Sequence, residues 1–513
     1  MRLKSRSHPL VIIALDAAEP ALIENWMQAG VLPVLKRLQE EGAYTRLASS
    51  AELLAGSPWP TFYTGAPPQI HGLYHWQQWR PAKMKVQIVR PNWLPVEPFW
   101  RRLNRKVVAL DIPMTYRPGP FRGVEISGWA THDHLDSPAS HPKNYLQNII
   151  AEFGTSPVGV EIYARQSFAD LMALGDELVA SVEKVTEVAS KLMAKEAWDL
   201  FMVAYGATHR GGHKLWDETG LSDQADSRHA QQLQDKLKEI YVACDRAVGQ
   251  LVAAAPNEAN VFVFSLHGMG ANTSRSEVLE KMIGYIMGSS SDSPPMKSKP
   301  DALQRLREAV PLAFRSSVKD RLPQNWQKWL THFWVKRRID WTSIPLVVPD
   351  ADLQGYLRIN MKRREKKGSI MPGDEYDRIC NFLVDGLLSF VDGDTGQPLV
   401  KTVLSSKNKI DEGERHHLLP DLIVQWCEEP AANHRRIESS QFGSFGWPTP
   451  GRNPSGRSGN HRGEGFLIAK GPSIANRPIK NADILDLAPS ICRLLGEKTI
   501  GNMTGKVLEV IQN

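Results

Sequence analysis

The sequence predicts an α/β fold, with a mostly parallel central sheet and helices on both of its faces. Short apolar runs alternate along the chain with longer amphipathic segments. The first run, LVIIAL at residues 10–15, contains no polar residue, which is typical of a strand buried on both faces of a parallel sheet. Strands that alternate with helices indicate crossover connections, and therefore parallel strands.

The elements follow in order from this alternation. After the first strand, residues 20–41 carry apolar side chains at helical spacing and stop at Gly42. KVVALDIP at 106–113 predicts the next strand, and residues 168–196 predict a long helix. The later elements are predicted strands in WDLFMVAYG, NVFVFSLHG, PDLIVQW and GFLIAKG, and predicted helices over 227–254 and in ADILDLAPSICRLLG.

One segment interrupts the alternation and divides the predicted core. Residues 285–345 open with GSSSDSPPMKSKP and continue through the basic, Trp-rich LPQNWQKWLTHFWVKRRIDW. We interpret this segment as an inserted cap or lid, although a cationic amphipathic helix could instead contact a membrane surface. The α/β core then consists of residues 8–284 and 346–513.

Composition restricts the classes of partner. The 513 residues carry a formal net charge of +6, which suits an anionic small-molecule substrate but is too mild for binding a nucleic acid polymer. No apolar run approaches the roughly 20 residues of a transmembrane helix, and the N-terminus lacks a cleavage-type segment, so we expect a cytoplasmic protein. The four cysteines are far apart and predict neither disulfides nor a thiolate zinc site. The sequence leaves the oligomeric state open.

Polar residues stand directly after several predicted strands. Asp16 follows LVIIAL, the segment ATHRGGH with His209 and His213 follows FMVAYG, and His267 follows VFVFSL. Because ligands bind at the carboxyl ends of strands in such sheets, we expect these side chains to converge. His461, just before GEGFLIAKG, is expected to join them. Imidazole and carboxylate ligands predict a site for one or two metal ions, with zinc first and manganese or iron as alternatives.

Two further residues are candidates for contact with the substrate. Ser57 precedes Pro58 at a predicted helix start, where it is either a simple capping residue or a nucleophile placed where the helix favours an anion. Thr61 and Thr64 are expected within that helix. Arg462 could clamp a substrate oxygen or pair with Glu464.

The motifs together resemble the alkaline phosphatase superfamily, and within it the type I phosphodiesterase/nucleotide pyrophosphatase branch. The resemblance covers nearly the whole chain and rests on the order of its motifs. These are VIIALDAAEPALIENWMQAGVLPVLKRLQEEGA, PTFYTGAPPQIHG, THRGGH, SLHGMG, GYLRINMKRREKKGSIMPGDEY, PDLIVQW, GNHRGEGFLIAKGPSI and ADILDLAPSICRLLG.

The resemblance implies two zinc ions and a Thr or Ser nucleophile. Asp16, His213, His267 and His461 match ligand positions of the family. Three positions depart from its pattern: Leu266 stands where the family has an aspartate before the histidine of SDHG, His209 replaces another aspartate, and Ala55 occupies the nucleophile position. A small deletion could bring Ser57 into place, or a metal-bound hydroxide could attack directly.

The leading hypothesis is a metal-dependent hydrolase of phosphate esters, most of all of phosphodiester or pyrophosphate bonds. A second hypothesis, motivated by Leu266 and Ala55, is a degenerate, non-catalytic member that binds an anionic ligand or a protein partner. A third is a sulfate or phosphonate ester hydrolase, because these tetrahedral oxyanions have similar charge and shape. Of the other histidines, His71 and His75 are expected to be packing residues, and His416 and His417 to lie in a solvated loop.

Overall fold

A nine-stranded sheet forms the centre of the molecule. The structure is a computed structural model that describes residues 7–131, 135–159, 161–224, 226–288, 346–349 and 351–512. The predicted cap at 285–345 lies outside these ranges apart from its first four residues. The strands, in spatial order, are β20 (Ala482–Asp483), β2 (Ala43–Ala48), β19 (Glu464–Lys470), β9 (Asn260–Ser265), β1 (Leu10–Leu15), β8 (Leu200–Tyr205), β5 (Val107–Leu110), β6 (Gly123–Ser127) and β7 (Ala139–His141).

The middle of this sheet is parallel, as the sequence predicts. Strands β9, β1, β8, β5 and β6 all run in the same direction. Strand β19 runs antiparallel between β2 and β9, and β7 closes the far edge antiparallel to β6. The predicted α/β class with a mostly parallel sheet is therefore confirmed.

Both faces of the sheet are covered, which explains the unbroken apolar run of β1. Val11, Ile13 and Leu15 pack into one hydrophobic core, and the alternate residues Leu10, Ile12 and Ala14 pack into a second core on the opposite face. The helices of the first core are α1 (Pro20–Gln28), α2 (Pro33–Glu41), α5 (Tyr145–Phe153), α6 (Phe168–Lys195) and α8 (Ser227–Ala254). Those of the second are α3 (Pro58–Thr64) and α12 (Leu487–Leu494). The short helix α4 (Pro68–His71) contacts α3, and the short helix α7 (Ala207–Lys214) follows β8 at the carboxyl edge of the sheet.

The chain between strands β10 (Gly268–Ala271) and β18 (Gly459–Arg462) builds a second, smaller unit with its own core. Its main sheet is antiparallel and contains, in spatial order, β11 (Leu346–Val347), β12 (Gly355–Ile359), β15 (Leu422–Trp426) and β14 (Val400–Ser405). The predicted strand PDLIVQW is β15 of this unit rather than a strand of the central sheet. The remaining elements of the unit are α9 (Ser276–Ile286), α10 (Asp374–Leu388), α11 (Ser406–Lys409) and a small sheet of β13 (Val391–Asp392), β16 (Arg436–Ser439) and β17 (Gly443–Gly446).

Two further pairs of short strands lie outside these sheets. Strands β3 (Gln77–Arg80) and β4 (Lys85–Ile88) pair antiparallel near the second core. Strands β10 (Gly268–Ala271) and β18 (Gly459–Arg462) form a two-stranded antiparallel ribbon where the chain enters and leaves the second unit. Within the described part of the chain, no helix combines the length and apolarity needed to cross a bilayer.

A buried charged network stabilises the second unit. The Asp392 carboxylate lies 2.7 Å from His434 Nδ1 and accepts the backbone N–H of Thr395 at 2.8 Å. The guanidinium of Arg275 donates to His434 Nε2 at 2.9 Å. Burial raises the pKa of Asp392, but the hydrogen bonds from His434 and Thr395 outweigh this effect and lower it to about 2.

We expect this network to make stability depend on acidity. The free Asp side chain has a pKa of 3.8. Between about pH 4 and pH 2, Asp392 therefore becomes protonated in the unfolded chain but stays ionised in the folded protein, and the free energy of unfolding falls as the pH falls. Relative to Asp392→Asn, the wild type should gain about 2 kcal/mol in free energy of unfolding at pH 7 and about half of that at pH 3. Chemical unfolding at the two pH values measures this difference. The exposed Asp394→Asn serves as the control, and a difference independent of pH would contradict the assignment.

Candidate active site

The carboxyl edge of the central sheet carries Asp16 and helix α7. Asp16 directly follows β1, and its backbone N–H donates to the Tyr205 carbonyl at the end of β8, at 3.0 Å. The Thr208 hydroxyl donates to the Asp16 carbonyl at 2.6 Å, which fixes the start of α7 beside the end of β1. Helix α7 then places His209 and His213 one turn apart, so that both rings lie on one side of the helix.

The ribbon brings His461 to the same place. Strand β10 begins one residue after His267, and in β18 His461 pairs with Met269. The ribbon lies close against α7, because a side chain at Gly459 would collide with the carbonyl oxygen of Gly212. The rings of His267 and His461 are thereby held with centroids 4.6 Å apart.

Three imidazoles converge through their Nε2 atoms. His209 Nε2 lies 3.0 Å from His213 Nε2 and 3.1 Å from His461 Nε2. These three buried residues form the one group among the described residues whose ligand atoms lie close enough together to hold a metal ion, all within 4.8 Å of one another. Two nitrogen ligands at about 2.0–2.1 Å from a tetrahedral zinc are roughly 3.3 Å apart, so the observed spacing fits such an ion.

The hydrogen bonds of the outer ring nitrogens support the same interpretation. His209 Nδ1 lies 2.9 Å from Asp16 Oδ2, and His213 Nδ1 lies 2.9 Å from the Gly459 carbonyl oxygen. An ionised carboxylate and a carbonyl can only accept, so each Nδ1 carries the hydrogen, and in the neutral form of each ring the lone pair of Nε2 points toward the other ring. Burial lowers the pKa of His213 and His461, which favours these neutral forms. Lone pairs that face each other in a buried site repel, and a cation bound between the two nitrogens removes this repulsion.

Asp16 and His267 lie beside the three-histidine group but outside it. Asp16 Oδ1 accepts the indole N–H of Trp59 at 2.8 Å and is 4.0 Å from His267 Nε2. Burial alone would raise the pKa of Asp16, but the neighbouring rings of His209 and His267 and the hydrogen bonds from His209 and Trp59 lower it well below its usual range. The carboxylate is therefore ionised.

A cavity opens directly onto these residues. His209, His267 and His461 line it on one side, and the aromatic residues Trp59, Trp76 and Tyr163 contribute to its walls. Its charged lining comes from Asp352 and Arg457, which did not figure among the residues expected from the sequence. The lining of the cavity thus combines imidazole rings, apolar aromatic rings and one ion pair.

Arg457 and Asp352 belong to a buried charge network. Arg457 lies 3.0 Å from both Asp352 Oδ1 and Glu161 Oε1, and its guanidinium stacks over the Tyr163 ring. The other oxygen of Asp352 lies 3.2 Å from His75 Nε2, so His75 is more than the packing residue expected from the sequence. Burial raises the pKa of Asp352, but the effects of His75 and Arg457 are together stronger and lower it below its usual range. The carboxyl is therefore ionised.

The two predicted substrate residues lie elsewhere. Ser57 is completely buried, and its hydroxyl donates to the Leu54 carbonyl at 2.6 Å and lies 2.7 Å from Ser50 Oγ. Arg462 donates to the Ala271 carbonyl at 3.0 Å, and Glu464 pairs with Arg46 instead of with Arg462. Neither Ser57 nor Arg462 is among the residues that line the cavity.

The departures from the family pattern are visible in the same region. Leu266 packs into the second hydrophobic core, with its side chain 1% exposed. Ala55 lines the cavity, at the position where the pattern has a nucleophile. Thr61 and Thr64 lie within α3, as expected, and Thr61 Oγ1 is 3.1 Å from His71 Nε2.

Comparisons with known proteins agree with the fold and the motifs. The sequence model of the type I phosphodiesterase/nucleotide pyrophosphatase family matches residues 10–338. Phosphonoacetate hydrolase from Sinorhizobium meliloti 1021, solved in complex with phosphonoformate, is similar in structure, with a TM-score of 0.50, 15% identity and 96% of each chain covered. Murine ectonucleotide pyrophosphatase/phosphodiesterase 5 has a TM-score of 0.46 at 13% identity, again with 96% of each chain covered. A search of curated proteins gave no significant match.

Proposed function

Because the chain belongs to the type I phosphodiesterase/nucleotide pyrophosphatase family, and is thereby a phosphoric ester hydrolase, we propose that it hydrolyses phosphodiester or pyrophosphate bonds with a divalent metal ion held by His209, His213 and His461. The observation that carries this proposal is the convergence of three Nε2 atoms at the edge of a partly aromatic cavity. Zinc is the first candidate, because three imidazole ligands suit it and leave a coordination position for substrate or water. When bound, such an ion supplies Lewis-acid polarisation of a phosphoryl oxygen and lowers the pKa of water.

The remaining residues of the cavity have assignable tasks. Arg457 offers a guanidinium that matches the oxygens of a phosphoryl group, and its Nε–H has no acceptor among the described residues. The rings of Trp59, Trp76 and Tyr163 can pack against the organic part of an ester. His267, beside the group of three, is placed to exchange a proton with water or substrate.

The charges favour a monoanionic diester over a dianionic monoester. Arg457 is the one cationic side chain among the described residues that line the cavity, and it is already paired with Asp352 and Glu161. An additional negative charge on a monoester would lie close to the Asp352 carboxylate, and like charges repel strongly in a buried site.

The hydroxyl of Ser57 is committed to hydrogen bonds with the Leu54 carbonyl and Ser50 Oγ. Direct attack by activated water is therefore a simpler mechanism than attack by Ser57.

The proposal is tested by metal analysis together with kinetics on chromogenic esters. We expect purified protein to contain zinc or a similar divalent ion, to hydrolyse bis(p-nitrophenyl) phosphate at least about tenfold faster than p-nitrophenyl phosphate, and to lose this activity on chelation and regain it with added Zn²⁺. p-Nitrophenyl sulfate and an aryl phosphonate in the same assay separate the sulfate and phosphonate alternatives. Folded protein that contains no metal and shows no turnover would refute the proposal.

A second candidate function has its own supporting observation. Leu266 and Ala55 place apolar side chains at two positions where the family pattern has reactive or ligating groups. A non-catalytic member would bind an anionic ligand or a protein partner in the same cavity. Binding of a phosphodiester without hydrolysis, seen by calorimetry on metal-loaded protein, would favour this candidate.

A further inference from the structure

We propose that this chain holds one divalent cation instead of two, and that Asp16 acts as the carboxylate that orients His209 instead of as a metal ligand. The inference rests on the proposed metal dependence of the three-histidine group. It concerns the second cation that the family resemblance implies. It follows from the hydrogen bonds and packing contacts that the side chains around Asp16 already form. The described residues around Asp16 do not fit that second cation.

Both oxygens of the Asp16 carboxylate already have donors. Oδ2 faces His209 Nδ1 at 2.9 Å, and Oδ1 accepts the indole N–H of Trp59 at 2.8 Å. Trp59 is 4% exposed and Asp16 is 2% exposed, so water does not compete for these bonds. An indole nitrogen can only donate, so one of the two lone pairs of Oδ1 is committed to Trp59, as one of those of Oδ2 is to His209, and fewer remain for a cation.

The neighbouring positions supply no replacement ligands. Leu266 is apolar and is buried in the second core, and Ala55 has no donor atom. The nearest hydroxyl in sequence, that of Ser57, donates to the Leu54 carbonyl. Among the described residues, His267 is therefore the one member of the family's ligand set besides Asp16 that retains a ligating atom in this region, and a single imidazole does not build a cation site.

The charge of the region leads to the same conclusion. Two dications a few ångströms apart need several carboxylates to offset their repulsion. Asp16 contacts His209 directly, and the Asp352 carboxylate is paired with Arg457 and His75. The position that carries an aspartate in the family pattern carries His209 here, which removes one more negative charge.

A carboxylate behind a ligating histidine has a well-defined effect. It fixes the tautomer with hydrogen on Nδ1, orients the ring and increases the basicity of Nε2. Asp16 and His209 have this relationship, with His209 Nε2 directed at the other two imidazoles. In the proposed site, Asp16 therefore orients His209, a ligand of the single cation, instead of binding a second cation itself.

The stoichiometry is tested on the full chain after removal of metal. Titration with Co²⁺, followed by its visible absorption, and with Zn²⁺, followed by calorimetry, should both saturate at one equivalent per chain. Saturation at two equivalents with comparable affinities would overturn the inference and leave the proposed function standing. If no ion binds to folded protein, both fail.

The role of Asp16 is tested by Asp16→Asn, with Asp111→Asn as the matched control. Asp111 is also buried, also follows a strand of the central sheet, and accepts two backbone N–H groups, from Trp129 at 2.7 Å and Ala130 at 2.8 Å, away from the histidines. Asp16→Asn should still bind one Zn²⁺ but with affinity lowered about 10 to 100-fold, whereas Asp111→Asn should bind as the wild type does.

Two outcomes would contradict the assigned role. Complete loss of Zn²⁺ binding in folded Asp16→Asn would make Asp16 a ligand, and unchanged affinity would remove its orienting role. Circular dichroism and thermal unfolding of both variants establish that the compared proteins are folded. The affinity for Zn²⁺ is a readout that a purely structural contribution of Asp16 would not change relative to Asp111→Asn.

Discussion

Replacing His213 by alanine is expected to abolish binding of the divalent cation and to reduce hydrolysis of bis(p-nitrophenyl) phosphate by about 10³-fold or more. His213 is completely buried, and its Nε2 lies 3.0 Å from that of His209. Its removal leaves two imidazoles of the group, which cannot hold a catalytic ion tightly. Loss of several kcal/mol of metal-supplied stabilisation of the transition state corresponds to a rate effect of this size.

The control for this variant is His417→Ala. His417 is exposed, outside the cavity, and on a short 3₁₀ turn at His416–Leu418. Metal content by elemental analysis and kcat/KM should match the wild type in the control and collapse together in His213→Ala. If His213→Ala keeps its metal, or loses its metal and keeps its activity, the three-histidine site is not the catalytic one.

Replacing Arg457 by methionine is expected to lower kcat/KM for the diester by about 10²-fold without changing the metal content. The substitution removes the cationic side chain found among the described residues of the cavity lining, and Asp352 and Glu161 lose their ion pairs with it. The uncompensated carboxylates then repel the anionic substrate. Breaking a buried ion pair from one side also costs about 3 to 5 kcal/mol of stability.

A second buried arginine separates the two effects. Arg101 donates to Glu125 at 2.8 Å in the second core, away from the cavity, so Arg101→Met should show a comparable loss of stability at unchanged kcat/KM. Arg457→Lys keeps the charge and should retain more activity than Arg457→Met. Equal losses of kcat/KM in Arg101→Met and Arg457→Met, measured below their unfolding temperatures, would show that Arg457 acts through stability alone.

The residues of the histidine cluster were predictable because each one is tied to a strong local pattern. Asp16, His209 and His267 each stand immediately or shortly after an apolar strand, and the carboxyl ends of parallel strands meet at one edge. The sequence placed His461 only near a strand. Its actual partner strand is β10, and the pairing of two four-residue segments far apart in sequence leaves no periodic signal.

The charged lining of the cavity could not be predicted for a similar reason. Asp352, Arg457 and Glu161 lie in irregular segments, where neither helical nor strand periodicity assigns a side. Only the tertiary structure shows that Arg457 has two carboxylates within 3.0 Å. Ser57 illustrates the opposite error: its place before Pro58 indicates a helix start, but the direction of its hydroxyl depends on the preceding turn, which supplies the Leu54 carbonyl.

The β10–β18 ribbon also determines when the cluster can exist during synthesis of the chain. His461 is made 252 residues after His209, and the whole second unit emerges between the two strands of the ribbon. A nascent chain that has completed the parallel strands and α7 therefore carries His209 and His213 without their third partner. If the proposed cation binds at this cluster, its uptake is expected to follow the late closure of the ribbon, so that the bound ion stabilises folded chains relative to chains with an open ribbon.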